Sequence, residues 1–146
     1  MIPVMQTEFG IFEGNCWSAC IASILELPIE AVPNFCSMSK HGDNFWLKRT
    51  FQWLSERKIG MLHIQNAKLA LDAQPHLFTR CFVIITGRSP RAKEGEEDFL
   101  HAIVARCDTI ENSAGYYTEF VPVHDPHIDK SFIVGDINDI TLLIKN

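Results

Sequence analysis

The chain has 146 residues, 47% hydrophobic and 21% charged, which is one ordinary domain able to bury a core without disulfide staples. Thirteen Lys/Arg against eighteen Asp/Glu leave a net charge of -5, a poor balance for a broad nucleic-acid surface, although Arg88, Arg91 and Lys93 sit close together. No uncharged run nears the ~20 residues that span a bilayer, Met1 to Gln6 lacks a basic-then-apolar signal, and the five cysteines are irregularly spaced; the expectation is one cytoplasmic domain, 1–146, without membrane or nucleic-acid partners.

In chain order, the first predicted element is a helix from about Asn15 to Leu25. Its apolar run from Ala19 to Leu25 follows the Gly-bearing segment Gly14-Asn15-Cys16-Trp17-Ser18. Leu27 to Pro33 reads as a short helical turn opened and closed by prolines. Cys36 to Gly42 reads as a loop, and an amphipathic helix follows over Asn44 to Arg57, with Phe45, Leu47, Phe51 and Leu54 near one face. The second half predicts strands at 61–64, 81–86, 100–106, 117–123 and 140–144, with Gly87 to Asp98 as an exposed loop. Helices first and an antiparallel sheet second make an α+β domain.

Cys16 stands at or just inside a helix N-terminus, where unpaired backbone N–H groups and the helix dipole favour thiolate over thiol. A Cys-His hydrolase also needs an imidazole, a group that orients it, and donors for the oxyanion. His101 opens an apolar strand directly after a charged loop, and Asp125 ends the next strand within His124-Asp125-Pro126-His127. If those strands are antiparallel neighbours, the start of one lies beside the end of the other and the two side chains meet. The oxyanion would take the Cys16 N–H and the Gln6 amide, with Asn15 as the other amide candidate. Arg88 and Arg91 would recognise an anion on the substrate.

Each residue has a plainer reading. A cysteine in an apolar helix is ordinarily core, as Cys20 is expected to be, and a lone strand histidine is ordinarily structural. Asp125 would then merely cap a turn, and the arginines would belong to a solvated loop. A zinc site is the chemical rival, through Cys36 with His41 or His124 with His127, but no tight Cys-x-x-Cys pair supports it. No phosphate loop is present. No metal or other cofactor is expected.

Gln6, the run from Gly14 to Ser23, Leu27-Pro28, Val32-Pro33-Asn34-Phe35, Gly87-Arg88-Ser89-Pro90-Arg91, His101-Ala102-Ile103-Val104 and His124-Asp125-Pro126-His127 together resemble a family of small bacterial and phage papain-like proteins. More distantly, the order Gln, Cys, His, Asp is similar to bacteriocin-leader-processing cysteine peptidases. The resemblance covers most of the chain. It implies a papain-like cysteine proteinase fold, with N-terminal helices packed on a C-terminal sheet, Cys16, His101 and Asp125 as triad, and Gln6 at the oxyanion hole. Trp17 stands where such enzymes often carry a small residue, and would narrow the cleft as a substrate contact. The function implied is hydrolysis of an amide, isopeptide or thioester bond in a peptide, protein or small acyl substrate. An acyl transferase would use the same triad. A non-catalytic binding protein, for example a phage inhibitor of a host factor, would instead present Trp46, Trp53, Tyr116 and Tyr117 to a partner.

Overall fold

The third strand is buried along most of its first half because both faces of the sheet are covered there. In the computed structural model, which describes residues 1–38 and 45–145, the elements are α1 (Cys16–Leu25), a 3-10 turn (Ile29–Ala31), α2 (Phe45–Ser55), β1 (Ile59–Ile64), α3 (Ala67–Ala73), β2 (Cys81–Arg88), β3 (Leu100–Asn112), β4 (Gly115–His124) and β5 (Val134–Lys145). The five strands form one antiparallel sheet in the order β1-β5-β2-β3-β4. This is an α+β architecture. No helix among the described residues is long and apolar enough to cross a membrane.

Alternate residues of the central strands supply two cores, as the period of a strand requires. Ile84, Ala102, Val104 and Leu143 pack under α1 and α2 with Trp17, Cys20, Ile21 and Leu54. Val83, Ile85, Ile103, Ala105, Cys107 and Ile140 pack on the other side with Ala67 of α3 and Phe78. The α1 helix is short but buried from Trp17 to Ser23. It stops where Glu26 turns left-handed at φ 60, returning its N–H to Ala22 O.

Several elements depart from the sequence expectation. The helix α3 is unannounced: its start at Asn66 has no side-chain cap, only Ala67 is buried, and Leu69 points into solvent. It lies between β1 and β2, so the helices are not all N-terminal. The strands β3 and β4 run further than their apolar stretches, because cross-strand pairing from Asp108–Glu119 to Asn112–Gly115 carries the polar ends. In α2, Phe45 and Phe51 are exposed and the buried residues are Thr50 and Leu54. Residue 44, expected to open that helix, and His41 of the zinc reading lie outside the described residues.

Trp17 is the cause of the changed α2 face. It is 2% exposed, its Nε1–H donates to Thr50 Oγ1 at 3.0 Å, and its ring meets Trp46 edge-on at 5.0 Å. The expected substrate contact at Trp17 is therefore corrected: the side chain points down into the helix–sheet core. Trp46 also packs on His63, and Trp53 packs on Phe35 with Arg57 over its ring, so neither is a free partner surface. Trp17→Ala should lower the unfolding free energy by about 3–5 kcal/mol. Trp17→Phe, which drops the indole donor and part of the ring, should cost about 1–3 kcal/mol by urea unfolding. A cost below that range for both would contradict this placement.

Candidate active site

Cys16 is the first residue of α1, and the loop before it is built to hold it there. Asn15 Oδ1 accepts the N–H groups of Thr7 and Glu8 at 2.9 and 3.0 Å, and its Nδ2 donates to Thr7 Oγ1 at 3.0 Å. Gly14 N–H returns to Gly10 O, and a Cβ on Gly14 would approach that same oxygen to 2.7 Å. Only glycine closes this loop without shifting the backbone. Further back, Gln6 N–H donates to Pro126 O, and His124 Nε2 meets Val4 O at 2.8 Å. The N-terminal segment is thus stitched across the end of β4, beside Asp125.

His101 begins the buried part of β3, and Asp125 follows the last residue of β4. Antiparallel pairing of the two strands places His101 Nε2 2.7 Å from Asp125 Oδ1, with both side chains buried. Asp125 is also fixed from behind. Its Oδ1 accepts His127 N–H at 2.8 Å and its Oδ2 accepts Phe132 N–H at 2.7 Å. With Nε2 facing the carboxylate, Nδ1 is the ring nitrogen left for Cys16, which borders the same cleft as His101.

These contacts set the charges. Burial pushes the Cys16 thiol up, but the His101 hydrogen bond and charge, with the backbone N–H groups of Ala102 and Trp17, bring it below its ordinary 9.0. Burial pushes His101 down, but Asp125 and Cys16 together raise it to about 9. Burial raises Asp125 as well, and His101 with the His127 and Phe132 amides outweighs that and holds it below 3.8. Each shift runs in the direction of a thiolate beside an imidazolium backed by a carboxylate. The other cysteines go the opposite way. Burial drives Cys20 well above 9.0, Cys36 to about 12, and Cys81 and Cys107 upward too.

A cleft of about 240 Å³ joins Cys16 and His101 to Gln6, Phe9, Ile11, Cys36, Arg91, Phe99, Leu100 and His127, among others. Gln6 Nε2 donates one hydrogen to Glu8 O at 2.9 Å, and its second hydrogen has no described partner. Gln6 Oε1 is buried and unbonded, for which we have no physical account. Asn15, the other amide candidate, is corrected to a positioning role, since both ends of its amide are held by Thr7 and Glu8. Arg88 is likewise corrected. It is exposed at the end of β2, donates to Lys93 O, and does not border the cleft. Arg91 does border it, but its Nη1 lies 3.0 Å from both oxygens of Asp129.

The rival zinc reading through His124 and His127 gains no support from the described residues. His124 is tied to Val4 O, and His127 Nδ1 lies 2.9 Å from Asp129 Oδ1. Among the described residues, no group of three or more His, Cys, Asp or Glu could hold a metal ion. A larger hollow of about 570 Å³ lies near the β3–β4 turn between Pro75, Phe78, Thr109 and Tyr116, but none of the reactive groups reaches it. The backbone amides of His127 and Phe132 and the apolar walls Phe9, Ile11, Phe99 and Leu100 were not anticipated. The only sequence signal for the walls is an apolar cluster, Phe9 to Phe12, placed in a loop. No family model, no curated protein and no solved structure matches this chain.

Proposed function

We propose that the protein is a papain-like cysteine hydrolase acting on an amide, isopeptide or thioester bond. The observation that carries this reading is the buried 2.7 Å His101 Nε2–Asp125 Oδ1 contact beside Cys16, with Cys16 and His101 opening on one cleft. The thiolate of Cys16 attacks the carbonyl carbon, and the developing oxyanion is met by the Cys16 N–H and the free Gln6 Nε2–H. His101 Nδ1–H passes its proton to the leaving nitrogen or sulfur as that bond breaks, leaving a thioester on Cys16. A water then gives its proton to Nδ1 and attacks the thioester, which releases the acid and restores the thiolate. An amine or thiol in place of water makes the same site an acyl transferase. All five cysteines are free, which suits a reducing compartment, and we place the protein in the cytoplasm.

The test is covalent. Exposure to p-nitrophenyl acetate should place an acetyl group on the Cys16 peptide, seen by mass spectrometry, and the adduct should then decay by hydrolysis. Acetylation of other residues only, or the same labelling in Cys16→Ser, would remove the nucleophile from this account. With an amide substrate, whose leaving amine needs a proton, the steady-state rate should fall above pH 9 as His101, raised to about 9, loses that proton. A rate that keeps rising through that range, as for simple thiol ionisation, would contradict the role of the imidazolium.

A further inference from the structure

We propose that the group held beside Cys16 is a short, uncharged, apolar acyl or peptide side chain; this rests on the hydrolase reading and names its substrate class. The walls of the cleft are Phe9 and Ile11 from the loop before α1, and Phe99 with Leu100 from the approach to β3. Three of these apolar side chains stay open to solvent at the nucleophile, with Phe9 52%, Ile11 40% and Leu100 37% exposed. Apolar surface left uncovered around a reactive group is recognition surface when it borders a concave site.

Charge argues against an ionic ligand. Among the described residues, the basic side chains bordering the cleft are Arg91, His101 and His127. Arg91 Nη1 is 3.0 Å from both oxygens of Asp129, His127 Nδ1 is 2.9 Å from the same carboxylate, and His101 faces Asp125 at 2.7 Å. Arg91 and His101 each already face a carboxylate of the protein, so the anion recognition expected of Arg91 gives way to a structural tie between the 89–93 and 127–131 segments. Among the described residues no Asp or Glu borders the cleft either, so none of them offers a carboxylate to a cation there. The volume of about 240 Å³ lies below the roughly 300–1,000 Å³ of sites that enclose drug-sized ligands, so one modest side chain fills it.

The probe is a series of alkylating agents whose iodide Cys16 displaces while its sulfur bonds to carbon: iodoacetamide, its N-methyl, N-ethyl and N-butyl derivatives, and anionic iodoacetate. Rates at Cys16 are divided by each reagent's rate with a free thiol. The ratio should rise up to about fourfold for each methylene buried, until the cleft is full, and iodoacetate should give the lowest value. In Ile11→Ser and Leu100→Ser, both at exposed positions, the butyl-to-methyl ratio should drop toward one. Rapid labelling with a flat series, a preference for iodoacetate, or an unchanged slope in both variants overturns the substrate class and leaves the nucleophile standing. Slow labelling by every reagent overturns the hydrolase reading, and this inference with it.

Discussion

Turnover of an activated ester should fall by about a thousandfold or more at pH 6 when His101 is replaced by Ala. Two losses combine. Without the imidazolium, Cys16 loses the neighbour that most lowers it from the ordinary 9.0, while burial, the largest influence, still pushes it up. At pH 6 a thiol with that ordinary value is ionised to roughly one part in a thousand. The variant also lacks the base that takes a proton from the water attacking the thioester. Because the first loss shrinks as the pH approaches the thiol's own value, the deficit should narrow in alkali. A variant within tenfold of the wild type at pH 6 would remove His101 from the mechanism.

Asp125→Ala should cost about 3–5 kcal/mol of stability, a large share of the 5–15 kcal/mol that holds an ordinary domain. The carboxylate is 2% exposed and answers three donors: the His101 ring and the amides of His127 and Phe132. Removing it strands all three where water does not replace it. It also frees the 125–132 loop, in which Lys130 and Phe132 are held at φ 49 and 58, a region that disfavours non-glycine residues. The carboxyl is held below its ordinary 3.8, so its contribution is complete above that pH and is lost as the pH falls through the lowered value. The stability gap between wild type and Asp125→Ala, from urea unfolding, should therefore shrink in acid. A gap under 1 kcal/mol at neutral pH would mean that Asp125 does not organise this corner.

What could be read from the sequence was local. A cysteine after Gly14-Asn15 and before an apolar run marks a helix start, and His101 after a charged loop marks a strand start. Asp125 before Pro126 marks a strand end, and hairpin order then brings the last two together. Contacts between distant segments were not legible. Trp17 looked like a cleft residue because its partner Thr50 lies 33 residues away on another helix. The amides Gln6 and Asn15 were equivalent by type, and only the fold of residues 7–14 assigns Asn15 to the loop and leaves Gln6 a free hydrogen. Arg91 read as a loose cation because Asp129 is 38 residues distant. The helix α3 carried no stripe of buried positions to announce it.

Cys16 should be a thiolate at neutral pH while the other cysteines stay protonated. Burial raises Cys20, Cys36, Cys81 and Cys107 above 9.0, so the ultraviolet thiolate absorbance of the wild type minus that of Cys16→Ser isolates a single sulfur. Titrated from about pH 10 down to about pH 4, that difference should persist well below the ordinary thiol range and vanish only in acid. A difference that appears only near or above 9.0 would contradict the ion pair, and with it the hydrolase.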